Sequence, residues 1–235
     1  MILFPGGDGL SRKRSCLGRL LLIIIIVGLL AAGILFYFGY RDYREAVEEI
    51  PLTEKIAQIQ SNPEYVTIDE ISGDFQRAIV AVEDKRFYRH GALDPIGFGR
   101  AVVTNLRNQE FSEGGSTITQ QVAKNLYFSN EKRLTRKIAE ALVAMDLEKE
   151  YSKDEILEFY CNIIFFGQSY YGISEASYGY FGKSPGNLTF EESAMLAGIP
   201  QAPSIYNPVD HPENAKARQA VVLEILEENG ITTGK

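Results

Sequence analysis

From Leu20 to Phe38 the sequence reads LLLIIIIVGLLAAGILFYF, 19 residues without a charge. At 1.5 Å rise per residue that run makes about 28 Å of helix, close to the thickness of a bilayer's hydrocarbon core. A cleaved signal peptide is the competing reading, with Ala31, Ala32 and Gly33 as its small residues. Signal cores are shorter, and here the apolar run continues through Phe36 and Phe38, so a retained anchor is expected. Arg12, Lys13, Arg14 and Arg19 precede it, which predicts a cytoplasmic N-terminus, with Tyr37 and Tyr40 near the far interface. The chain then divides into a tail over 1–19, a transmembrane helix over 20–38, a membrane-proximal linker or helix over 39–64 and a domain over 65–235. That domain is expected on the extracytoplasmic, periplasmic face of the cytoplasmic (inner) membrane, behind a single pass.

Past the anchor, about 195 residues suffice for one core of normal size. The whole chain is 45% hydrophobic and 23% charged, which excludes a disordered or collagen-like protein. Residues 41–235 hold 20 Lys and Arg against 30 Asp and Glu, a net charge of −10, so no nucleic-acid partner is expected. Cys16 lies just before the apolar run and Cys161 deep in the domain, which argues against a structural disulfide.

Hydrophobic periodicity predicts a mainly α fold with helices over 42–60, 73–88, 94–108, 116–127, 134–150, 153–164, 173–181, 190–199 and 212–229. Ser152 with Glu155 and Thr189 with Glu192 read as capping boxes, and Ser116 after two glycines as an N-cap. Only residues 64–71 look extended, and 109–115 read as a loop.

Three segments carry candidate chemistry. In AIVAVEDKRFYRHGALD, residues 78–94, an apolar helix face runs straight into Glu83 and Asp84, and a carboxylate at the end of a buried helix suits a general base. The bland alternative is a solvated helix end, with His90 a structural imidazole. In GGSTITQQVAKN, residues 114–125, a glycine-fed helix start has the unpaired N–H groups that attract phosphate, although its spacing is not a Walker A loop. In RLTRKIAEALVAMDLEKE, residues 133–150, Glu140 shares a face with Lys137, Ala144 and Leu147, while Ile138, Leu142 and Met145 form another. An i,i+4 ion pair between Arg136 and Glu140 is the ordinary reading of that helix. Two carboxylates with cations between them suit a pyrophosphate or glycosyl reaction.

Together these segments resemble the family 51 peptidoglycan glycosyltransferases, found as monofunctional membrane enzymes and as the N-terminal domain of class A penicillin-binding proteins. All five motifs occur in order: EDKRFYRH at 83–90, GGSTITQQVAKN at 114–125, RKIAEALVAMDLE at 136–148, KDEILEFYCNIIFFG at 153–167 and ESAMLAGIPQAPSIYNP at 192–208. The resemblance covers residues from about 65 to about 227.

That resemblance implies a lysozyme-like, two-lobed helical domain that polymerises lipid II into β-1,4 glycan strands with inversion, releasing undecaprenyl pyrophosphate. It makes Glu83 the base that deprotonates the acceptor GlcNAc 4-hydroxyl, and Glu140 the second catalytic carboxylate, acting directly or through Mg²⁺ or Mn²⁺. Lys124, Lys132, Arg136, Lys137 and the helix start formed by Gly114, Gly115, Ser116 and Thr117 match positions that steady the donor pyrophosphate. Asp84, Phe87, His90 and Gln121 match positions that shape or line the donor site. The implied partners are lipid II as donor and acceptor, the membrane, and cell-wall synthesis and division proteins; no organic cofactor is implied.

Ala92 stands where the family usually has glycine, Cys161 replaces a common leucine, and Lys132 a frequent arginine. Because the chain stops soon after the fifth motif, a monofunctional enzyme is expected, with a cut bifunctional protein as the alternative. A lysozyme-like lytic transglycosylase or hydrolase, and a catalytically silent cell-wall scaffold, are the rival functions. The first needs no GGSTITQQ segment, and the second tolerates loss of Glu83.

Overall fold

The computed structural model describes residues 8–108, 114–128 and 133–233. Its helices are α1 (Asp8–Glu49), α2 (Leu52–Gln60), α3 (Gly73–Glu83), α4 (Pro95–Asn108), α5 (Ile118–Tyr127), α6 (Leu134–Glu150), α7 (Lys153–Ile163), α8 (Ile173–Phe181), α9 (Phe190–Gly198), α10 (Pro203–Tyr206) and α11 (Pro212–Glu228). The mainly helical class expected from periodicity is what the structure shows, and no strand occurs among the described residues beyond a single bridge between Phe165 and Tyr171.

α7 lies at the centre of the domain. Its Ile156, Leu157, Phe159, Tyr160 and Cys161 are buried in one continuous cluster that also holds Phe75 and Ile79 of α3, Ile118 and Val122 of α5, Leu147 of α6 and Leu196 of α9. Close packing of that many large side chains is the main source of stability here, because burial removes apolar area from water. Cys161 behaves there as a small apolar residue, and burial pushes its thiol pKa far up. The polar edge of α7 organises the segment before α3. Glu158 accepts from Tyr65 Oη at 2.5 Å and Ile68 N at 2.7 Å, and Asn162 bonds both N and O of Val66.

Proline and aspartate account for the main departures from the sequence reading. The helix expected over 42–60 is two helices, because Pro51 lacks the N–H needed to continue the ladder and instead opens α2. The stretch expected to be extended, 64–71, contains a tight turn at Ile68–Glu70, closed by a capping box between Thr67 and Glu70. The helix expected over 73–88 stops at Glu83, where Asp84 leaves helical geometry (φ −154°, ψ 72°) and sends its carboxylate to other partners. Ala92 needs no left-handed backbone: the positive-φ residues other than glycine, among those described, are Gln168 and Ser169.

α1 runs unbroken from the apolar segment into the domain. The span from Leu20 to Phe38 stands exposed, an apolar rod long enough to cross a membrane. Beyond it the helix docks on α6, where a Cβ at Gly39 would lie 2.6 Å from Ile138 Cβ, and Tyr43 Oη donates to Asp146 at 2.5 Å. Burial and Asp146 push the Tyr43 pKa up to about 12, so this hydroxyl stays a donor at physiological pH. The Ile138, Leu142 and Met145 face of α6 thus lies beside the anchor, and the Glu140 face turns inward. A Gly39→Leu substitution is expected to lower stability by about 1–3 kcal/mol through overpacking. Gly33→Leu, at a site with nothing within 4 Å, should leave stability unchanged, as thermal unfolding of the detergent-solubilised protein will show.

Candidate active site

A groove of about 640 Å³ runs along the end of α3, the starts of α5 and α6, and α11. Glu83, Ser116, Gln121, Lys124, Arg136, Lys137 and Arg218 line it with Pro200 and Gln201, so four of the five motifs meet on one surface.

Glu83 is the last residue of α3, and it is the break at Asp84 that leaves it on the groove wall. Gln121 Nε2 donates to Glu83 Oε2 at 2.8 Å, and no described residue hydrogen-bonds the other oxygen. Desolvation raises the Glu83 pKa above the ordinary carboxylate value and Asp84 adds to it, while Gln121, Arg218 and Lys124 pull the other way. The result is a carboxylate more basic than a solvated one and still open to a reactant.

Asp84 and His90 stand behind it. Asp84 Oδ1 meets His90 Nε2 at 2.7 Å and Asp84 Oδ2 accepts from Ile118 N at 3.0 Å, which ties the end of α3 to the start of α5. His90 Nδ1 faces Gly91 O at 2.6 Å, so both ring nitrogens meet oxygen atoms. Phe87 is fully buried beneath Lys153, whose Nζ lies 4.4 Å from the ring centre. These three residues therefore shape the groove from behind rather than line it.

The helix start differs from the sequence reading. Thr117, not Ser116, is the N-cap: its Oγ1 accepts from Gln120 N at 3.1 Å, and Gln120 Oε1 accepts from Thr117 N at 3.1 Å. With Ile118 N held by Asp84, three of the amides at this helix start, those of Thr117, Ile118 and Gln120, are already bonded within the protein. Ser116 is free of capping and instead accepts from Lys137 Nζ at 2.8 Å. Gly114 lines the groove, whereas Gly115 packs against Phe98 and Thr117 is buried. Lys132 lies outside the described residues.

Anion attraction comes from side chains instead. Glu140 is fully buried, with Lys137 Nζ 2.7 Å from Oε2 and Arg136 Nε 2.9 Å from Oε1, the second contact lying off the hydrogen-bond axis. The ordinary i,i+4 pair is thus present, but it is buried at its acidic end and part of a three-residue cluster. Lys124 completes the group from α5. Burial lowers its pKa first, with Lys137 and Arg136 adding and Glu140 and Glu83 opposing, and no described residue holds its Nζ by an ion pair or hydrogen bond.

Arg218 reaches the groove from α11 and was missed by motif reading, which stops at residue 208. Its Nε is 3.4 Å from Gly198 O, and burial lowers its pKa against the pull of Tyr206 and Glu83. A sequence signal existed: Arg218 lies on the same helical stripe as the buried Ala215, Val222 and Leu226.

The divalent cation that the motifs imply finds no open set of ligands among the described residues. The one group of three metal-binding side chains, Asp84, His90 and Asp94, is occupied internally. Asp84 bonds His90 and Ile118 N, while Asp94 takes Arg86 at 3.0 Å and Ile96 N at 3.1 Å. Glu140 is likewise saturated with cations.

Comparison with known proteins identifies the family. The family model described as Transglycosylase matches residues 52–227. The chain belongs to the transglycosylase family. It is 42% identical over 221 residues to a Cupriavidus necator protein provisionally named a transglycosylase, covering 94% of this chain and 92% of that protein. It is also 44% identical over 231 residues to penicillin-binding protein 1A of Neisseria lactamica, and 45% over 174 residues to penicillin-binding protein 1F of Bacillus subtilis. Those matches cover 93% and 74% of this chain but 29% and 24% of the relatives, so the chain spans about a quarter of each penicillin-binding protein. The groove is therefore the candidate active site of a transglycosylase of the family that the five motifs resemble.

Since Gln121 favours the ionised form of Glu83, Gln121→Leu removes a stabiliser of the charged base and raises its pKa further. If Glu83 acts deprotonated, activity falls as pH drops through that pKa, and the acid limb of the kcat/KM profile is expected to move to higher pH in Gln121→Leu. An unmoved limb would show that Glu83 does not control it.

Proposed function

We propose that this chain is a membrane-anchored peptidoglycan glycosyltransferase that polymerises lipid II, with its domain on the extracytoplasmic face. What carries the reading is the pairing, in one groove, of a basic carboxylate with a separate cluster of cations. Glu83 takes the proton from the acceptor GlcNAc 4-hydroxyl through the oxygen that Gln121 leaves free. The alkoxide oxygen attacks C1 of the donor MurNAc from the face opposite the pyrophosphate, forming the β-1,4 bond as the C1–O bond to pyrophosphate breaks. The electron pair leaves with undecaprenyl pyrophosphate.

Charge builds on the leaving oxygens, and Lys124, Lys137 and Arg136 are the groups placed to neutralise it. Glu140 serves this step by holding Lys137 and Arg136 in place, since its own carboxylate is screened from the groove. The anchor keeps the groove in the same two-dimensional film as a substrate with a polyprenyl tail, which raises its effective concentration.

The test incubates full-length protein in detergent with labelled lipid II and resolves products before and after muramidase digestion. Muramidase-sensitive polymer is expected, with the rate reduced about 10²- to 10⁴-fold in Glu83→Gln and about 10²-fold in Lys124→Gln. Undiminished polymer from Glu83→Gln would remove the base from its role. Cleavage of preformed glycan without use of lipid II would establish a hydrolase instead.

A further inference from the structure

A second cavity of about 510 Å³ adjoins the groove on the far side of Ala81 and Lys85, which wall both, as does Asn229. One stripe of α3, Gly73, Arg77 and Val80, forms a side of it, and Ile231 closes another. Arg86, Tyr88 and Arg89 complete its rim. Four cations and no acid line this annex, although residues 41–235 carry a net −10. Two of the four are committed, Arg77 to Asp74 at 2.5 Å and Arg86 to Asp94 at 3.0 Å. Lys85 and Arg89 are exposed and make no ion pair with a described residue.

We propose that this annex receives the peptide stem of the acceptor substrate, with Lys85 and Arg89 pairing its free carboxylates. The proposal rests on the lipid II reading above and names a part of the substrate that the groove does not hold. Cations are interleaved here with the small apolar surfaces of Gly73, Val80, Ala81 and Ile231. That mixture suits a short peptide of small side chains and carboxylates, whereas a pyrophosphate calls for converging donors such as Lys124 and Lys137. Position agrees as well. The acceptor hydroxyl must sit at Glu83, the leaving pyrophosphate belongs with Lys124, Arg136 and Lys137, and none of those three cations borders the annex. An extended pentapeptide reaches about 17 Å, enough to pass from the groove into the annex.

The test compares lipid II bearing free stem carboxylates with lipid II whose stem carboxylates are amidated, using full-length protein and the ratio of KM values within each variant. Wild type is expected to favour the free-acid substrate by about fivefold. Arg89→Glu should abolish or reverse that preference and Arg89→Lys should keep it. An equal preference in wild type and Arg89→Glu, or none in wild type, overturns the proposal. Failure of wild type to polymerise either substrate overturns the lipid II reading itself, a result distinct from lost preference.

Discussion

A carboxylate without solvent contact is tolerated only when opposite charge surrounds it, and Glu140 meets that condition through Arg136 and Lys137. That requirement fixes two cations one turn below Glu140 at the groove edge, where Lys124 joins them from α5. Removing Glu140 would release them, and removing either cation would leave a buried charge uncompensated. The arrangement explains how an acidic domain presents a cationic surface: the positive charge is local and held from beneath. Its cost is that Glu140 has little access to a reactant, so its contribution runs through the cations it orients.

The second clamp is Asp84, which interrupts α3, bonds the start of α5 and faces His90. By ending the helix at Glu83 it sets the base on the groove wall, and by capping α5 it fixes Gln121 and Lys124 relative to that base. Docking of α1 on α6 through Gly39 and Tyr43 then connects the apolar rod, long enough to cross a membrane, to the same helix that carries Arg136, Lys137 and Glu140. The position of the cation cluster relative to the apolar rod is in this way set by a short stretch of helix packing.

Much of this was legible in the sequence, and the exceptions have physical causes. Periodicity gave α6 and α8 their full extents, and the capping boxes of α7 and α9 stand where Ser152 and Thr189 placed them. The end of α3 was not legible, because Asp84 is drawn out of the helix by partners 6 and 34 residues away. Thr117 displaced Ser116 as the cap through Gln120, a pairing as readable as the others but masked by the two glycines before Ser116. The helix start looked like a phosphate site because its amides seemed unpaired; Gln120 occupies one locally, and only the tertiary fold reveals that Asp84 occupies another. Arg218 lies outside the motifs, and the annex draws Lys85, Arg86 and Arg89 from the first motif but takes its shape from how α11 and the residues after it pack against α3.

The division of labour along the groove is open to direct measurement by isothermal titration of full-length protein with a short-chain polyprenyl pyrophosphate, beside Lys124→Gln and Glu83→Gln. If the cations hold the leaving group while Glu83 serves the acceptor, Lys124→Gln binds at least tenfold more weakly, and Glu83→Gln binds as tightly as wild type or tighter. Equal affinity in wild type and Lys124→Gln, or a loss confined to Glu83→Gln, would contradict that division.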